Sequence, residues 1–187
     1  ALSMASIASA LVYALLLILN LSAGPVPVEG VEVVTDRQYE HVVGDAFARA
    51  RSSIRMMMFE ARYYESHLNS PTNELIEGLI AARRRGVDVR VILERRKEND
   101  RVSSSNLKTG ALLSRGGVEV MYDPLTTTTH SKLLIIDGET SVVGSTNWTY
   151  NALEKNHEVS VLIRSPQVAR TLQDYFQDVW QSCSPPN

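Results

Sequence analysis

The chain has one cysteine in 187 residues, Cys183, close to the C-terminus. A lone thiol excludes an intrachain disulfide framework and a cysteine-rich zinc site, and it says little about redox compartment. Charge imbalance is also small. The sequence holds 19 Lys and Arg against 21 Asp and Glu, a formal net charge of −2. That balance argues against a protein that coats nucleic acid through bulk charge. There is no internal repeat and, apart from Thr126–Thr129, no low-complexity tract. Residues 1–28 contain no charged side chain.

That uncharged stretch centres on Leu11–Leu21. It is long enough to cross a bilayer, which takes roughly 20 residues, and it is apolar on all sides, unlike a surface helix. The expectation is an uncleaved transmembrane anchor over residues 1–28, with a cleaved secretory signal as the alternative. Against cleavage, no basic n-region is visible and Ser22-Ala23-Gly24 is a poor processing site. Flanking charges assign no orientation. The rest of the chain is expected outside the cytoplasm. Gly24–Gly30 reads as a stiff linker, and residues 29–187 as one domain.

From Val31 onward, strand and helix patterns alternate. Strands are predicted at Val31–Val34, Ile54–Phe59, Val87–Leu93, Val118–Tyr122, Lys132–Ile136, Ser141–Gly144 and His157–Ile163. Helices are predicted over Tyr39–Ala50, from Ser70-Pro71 to Gly86, over Asn106–Arg115, and from Ser165-Pro166 onward. The alternation predicts an α/β fold, a mixed sheet flanked by helices on both faces, preceded by the N-terminal membrane helix.

The run His130-Ser-Lys132, four residues, Asp137, six residues, Gly144-Ser145-Thr-Asn147 carries the chemistry, with Glu158 shortly after. At about 5% per residue type, a chance match to all the fixed positions has odds on the order of one in a million or less. Period-two alternation puts His130 and Lys132 on one strand face. A histidine there can attack phosphorus while the ammonium holds a non-bridging oxygen. Asn147 offers an amide donor and Ser145 a hydroxyl to the developing charge. Glu158 can accept a hydrogen bond from the far imidazole nitrogen and fix the tautomer. The set suits phosphodiester cleavage through a phosphohistidine and needs no metal or other cofactor. Asp137, followed by Gly138, sits at the strand's other end and reads as a turn-former.

This pattern resembles the phospholipase D superfamily, whose signature is H-x-K-x4-D-x6-G-S-x-N. The resemblance extends from about Val31 to Trp180. Ser53–Phe59 and Gly86–Leu93 look like the second and third strands of that fold. The layout is closest to the single-motif bacterial and archaeal endonucleases and is similar to that of the mitochondrial-surface members. The resemblance implies the catalytic roles above for His130, Lys132, Ser145, Asn147 and Glu158, and a mainly structural role for Asp137 and Gly144. It also implies a homodimer, because one motif supplies one histidine and the departing oxygen needs an acid. Two His130 side chains would face each other across a twofold axis.

Cations cluster between Arg83 and Arg115, including Arg95, Arg96 and Lys97 in a loop from Glu94 to Ser105. Such a loop after a central strand can track a phosphate backbone; the alternative is a solvated loop. His41, His67 and His157 read as structural, as do Tyr63 and Tyr64. Three functions are then open. The first is a metal-independent endonuclease on DNA or RNA. The second is a phospholipase D on headgroup esters such as those of cardiolipin, which the membrane segment favours. The third, disfavoured by the complete motif, is an inactive membrane-tethered nucleic-acid-binding module.

Overall fold

The computed structural model describes residues 26–96 and 100–185. The expected membrane segment falls almost wholly on residues 1–25, outside the described residues, as does Lys97. Among the described residues no helix is long and apolar enough to cross a membrane.

Seven strands form one mixed sheet: β1 (Gly30–Thr35), β2 (Ser53–Met58), β3 (Asp88–Leu93), β4 (Glu119–Tyr122), β5 (Lys132–Ile136), β6 (Thr140–Gly144) and β7 (Val159–Arg164). The order across the sheet is β1-β7-β6-β5-β2-β3-β4. β2, β3 and β4 run parallel, and β5, β6, β7 and β1 continue the sheet antiparallel. Helices α1 (Gln38–Arg49), α2 (Pro71–Arg84), α3 (Arg101–Arg115), α4 (Tyr150–Glu154) and α5 (Pro166–Ser182) complete the described fold.

Both faces are covered, and the central strands show why. All five residues of β5 are buried, as are Ile54–Met58 of β2, so these strands read as continuous apolar runs. Alternation then sorts their side chains. Ile54, Met56, Met58, Leu134 and Ile136 join Val43, Phe47, Leu75, Leu79 and Leu113 in the larger core under α1, α2 and α3. Met57, Ile92, Leu133 and Ile135 pack against Ala169 and Phe176 of α5 on the opposite face.

Local chemistry sets the ends of the elements. Asp137 and Gly138 both take positive φ, 56° and 68°, in the three-residue connection from β5 to β6, where Glu139 N donates to Ile136 O at 3.1 Å, the Asp-Gly solution for a twisted hairpin. Gly86, at φ 95°, follows the last turn of α2. Ser70 occupies the N-cap of α2, but its hydroxyl bonds Thr72 Oγ1 at 2.8 Å rather than capping the helix. α3 begins at Arg101, five residues before the predicted start, because Asp100 caps it by accepting from Ser103 N at 3.0 Å. The loop expected up to Ser105 is therefore partly helical. The last strand starts at Val159, so His157 and Glu158 precede it. The short helix α4 lacked a periodic signal.

Candidate active site

The strand directions gather the chemistry at one end of the sheet. β1, β2, β3, β4 and β6 end there, and β5 and β7 begin there. His130 lies two residues before β5 and is exposed; Lys132 opens β5 and is only 8% exposed. Lys132 Nζ donates to the His130 carbonyl at 2.7 Å and stands 3.4 and 3.5 Å from the two ring nitrogens. Burial holds the Lys132 ammonium below its ordinary lysine range, opposed by the Glu158 carboxylate.

Phe59, the residue after β2, meets the His130 ring edge-on at 4.7 Å. Its amide donates to Ser131 O at 3.1 Å. Lys132 Nζ and the Arg96 guanidinium lie 5.0 and 4.8 Å from the Phe59 ring centroid. The sequence reading gave Phe59 no part in the site; its place at a strand end carried no signal.

Ser145 and Glu158 meet directly, the Ser145 hydroxyl donating to the Glu158 carboxylate. Asn156 Nδ2 donates to the other carboxylate oxygen at 2.9 Å. Among the described residues of this one chain, Glu158 accepts from Ser145 and Asn156, and no hydrogen bond joins it to the His130 ring. Asp36, with φ 49°, accepts from Glu158 N at 2.8 Å and pins that residue from β1. The same amide bond holds the Asp36 carboxyl below its ordinary range, against desolvation.

Gly144 faces Ser160 across the β6–β7 pair, and a Cβ there would stand 2.5 Å from Ser160 Cα. The motif glycine is thus required by close backbone approach. Beyond it, Trp148 is fully buried, donates through its amide to Glu60 O at 2.9 Å and accepts from Arg62 N at 2.9 Å. This pairing ties the loop carrying Asn147 to the loop after β2. The Asn147 side-chain oxygen is buried without a hydrogen-bond partner.

Asp137 lies at the opposite end of β5. Its carboxylate accepts from the amides of Arg51, Ser52 and Ser53 and from the Ser52 hydroxyl, at 2.8–3.2 Å. Burial raises its carboxyl, but the Ser53, Ser52 and Arg51 amides outweigh that and hold it below the ordinary range.

A groove of about 1100 Å³ adjoins the site. Arg62, Tyr63 and Tyr64 line it from the loop after β2, Arg95 and Arg96 from the end of β3, and Arg101, Lys108 and Arg115 from α3. Glu65 and Asp100 are its acidic members. The Arg62 guanidinium stacks 4.9 Å from the Tyr64 ring centroid. Other cations of the same stretch serve the scaffold: Arg83 donates to Gly117 O, Arg85 to Phe47 O, and Arg90 pairs with Asp88 and Glu119. His41 and His157 are exposed on their side chains at 82% and 98%, and His67 is an exposed loop residue. Among the described residues no cluster of three or more His, Cys, Asp or Glu side chains converges on a metal position.

Comparison with known proteins gives a consistent result. The family model described as "Cardiolipin synthase, PLD-like domain" matches residues 43–180. The chain is 27% identical over 166 residues to the mitochondrial cardiolipin hydrolase of Danio rerio, covering 88% of this chain and 64% of that protein. It is 32% identical over 111 residues to the mitochondrial cardiolipin hydrolase of Xenopus tropicalis, covering 59% and 50%. The chain thus spans between half and two thirds of these relatives' lengths. Among solved structures, the phospholipase D family member Nuc from Salmonella typhimurium superposes with a TM-score of 0.70 at 27% identity, over 83% of this chain and 97% of that one.

Proposed function

This chain belongs to the phospholipase D superfamily of phosphodiesterases, and on that premise we propose that it is an endonuclease acting through a phosphohistidine at a homodimer interface. The observation that carries the nucleic-acid reading is the arginine-lined groove, joined to the site where Arg96 lies over Phe59 and Phe59 meets His130. A phospholipid presents one phosphate or, in cardiolipin, a pair. A groove with Arg95, Arg101, Lys108 and Arg115 spread along it, and with Tyr64 exposing a ring, suits successive phosphates and bases.

In this reading His130 attacks phosphorus, and the P–O bond to the leaving group breaks as the P–N bond forms. The leaving oxygen takes a proton from His130 of the second copy. Water then attacks the phosphohistidine, giving its proton back to that second imidazole and freeing the first. Lys132, with the Asn147 amide, stabilises the charge on the non-bridging oxygens. Ser145 and Asn156 orient Glu158, whose charge faces Lys132. One imidazole acts neutral and the other protonated, so the rate follows a bell-shaped pH profile.

The second reading is hydrolysis of phospholipid headgroup esters. The relatives named as cardiolipin hydrolases and the uncharged stretch over residues 1–28 favour it. That stretch would anchor the chain in a membrane, with the catalytic domain outside the cytoplasm. One assay decides: fluorescent DNA and RNA oligonucleotides and cardiolipin-containing vesicles are incubated side by side with the full chain and with His130→Ala. Oligonucleotide cleavage in excess chelator, absent in His130→Ala, is expected; release of phosphatidic acid with intact oligonucleotide would reverse the reading.

A further inference from the structure

Glu94, the first residue after β3, has a side chain with no solvent exposure. An unpaired buried carboxylate costs several kcal/mol, so its partners identify what it is there to hold. Glu94 Oε2 accepts from Thr129 N, the amide just before His130, at 2.6 Å. Glu94 Oε1 faces Arg96 Nε at 3.4 Å, and the Arg96 guanidinium covers the Phe59 ring that abuts the imidazole. The Glu94 backbone is itself fixed. Its amide donates to Met58 O at 3.2 Å, and its carbonyl accepts from the buried Asn106 at 2.8 Å.

The nucleophile-bearing loop runs from Asp123 to Ser131 between β4 and β5. Within it His130 is bracketed, with Thr129 N held by Glu94 and Ser131 O held by Phe59 N. We propose that Glu94 is a positioning residue for His130, its carboxylate clamping the Thr129 amide so that the imidazole stays on the line of attack. The clamp acts on the histidine whichever phosphodiester is cleaved, so it rests on the phosphodiesterase reading and not on the choice of substrate. A displacement of about 1 Å at a reacting group can cost on the order of 10²-fold in rate. The expected loss on removing the clamp is therefore in kcat, with KM little changed.

Three variants of the full chain separate the hydrogen bond from the charge. Glu94→Gln keeps an acceptor at the same reach, Glu94→Asp keeps the charge but withdraws it by one methylene, and Glu94→Ala removes both. Turnover of bis(4-nitrophenyl) phosphate is measured at equal folded fraction. Glu94→Gln is expected within about threefold of wild type, with Glu94→Asp and Glu94→Ala lower in kcat by roughly 10–10²-fold and KM unchanged. If Glu94→Ala does not fold, the Gln and Asp pair decides. Asp equal to wild type with Gln impaired, or a loss confined to KM, overturns the proposal. Histidine-selective NMR, with His130→Ala assigning the signal, gives a readout independent of turnover. His130 ring resonances move in Glu94→Asp and stay in Glu94→Gln; unmoved resonances in both overturn the clamp, even if wild type proves inert and the phosphodiesterase reading fails by itself.

Discussion

Replacing Asp137 tests whether the far end of the hairpin is held as the structure indicates. Its carboxylate collects the amides of Arg51, Ser52 and Ser53 and the Ser52 hydroxyl. Hydrogen bonds to a charged group contribute about 1.5–3 kcal/mol each, but Arg51 and Ser52 are exposed and recover water when the acceptor is lost. Discounting for that solvent access leaves about 2–3 kcal/mol. Alanine at φ 56° adds about 1–2 kcal/mol of left-handed strain. Asp137→Ala should therefore destabilise by about 3–5 kcal/mol, which for a domain of this size is ~6–20 °C in Tm. Asp137→Asn keeps an acceptor and tolerates the left-handed turn, so it should lose only about 1–2 kcal/mol, the part due to charge.

The pH dependence checks the sign. The folded carboxyl lies below its unfolded value of about 3.9. Its contribution is fully present above that value and disappears as pH falls through the folded pKa. Urea titrations of wild type and Asp137→Asn should differ by a constant amount from pH 5 to 7, and the difference should close toward pH 3 and below. An Asp137→Ala protein within 0.5 kcal/mol of wild type (well under the ~3 expected from these bonds), or an Asn gap that ignores pH, would refute the reasoning.

Gly144→Ala should drive β6 from β7 and displace Ser145, lowering both Tm and kcat, the latter by about 10²-fold or more. Adding Ser160→Gly should not restore it, since the clash includes Ser160 Cα; kinetics and melting of the double variant check this. Lys132→Ala should lower kcat by about 10²-fold or more while leaving the bell-shaped pH profile of the two imidazoles in place; an unchanged kcat would remove Lys132 from charge stabilisation. Arg101→Ala with Lys108→Ala should reduce the slope of log binding against log salt for single-stranded DNA by ~1.4, at about 0.7 per phosphate contact. An unchanged slope in anisotropy titrations would remove the groove from the binding path.

Lys132–Ile136 appears as a strand with the predicted bounds, and the Asp137-Gly138 turn falls where its chemistry demands. Both are short-range: an apolar run between turn residues is decided by neighbours a few positions away. α3 began earlier than its apolar pattern, because a single capping aspartate outweighed weak periodicity over Arg101–Ser105. Within one chain, Glu158 is held by Ser145 and Asn156 instead of by His130. The sequence named Glu158 as an acceptor but could not rank the donors around it, because Ser145 reaches it only through the β6–β7 pairing.

By itself, then, the order of residues determined the chemistry: an imidazole, an ammonium and a Gly-Ser-x-Asn turn at spacings that one hairpin brings to one edge. The tertiary structure alone decided which side chains support that edge. Phe59, Glu94 and Trp148 come from strand ends and loops far apart in the chain, and their approach depends on how β2, β3 and β6 lie relative to β5. The cations were divided in the same way, Arg101 and Lys108 into the groove and Arg85 and Arg90 into the scaffold. Residue identity and local period set what a side chain can do, whereas strand order and packing set what it can reach.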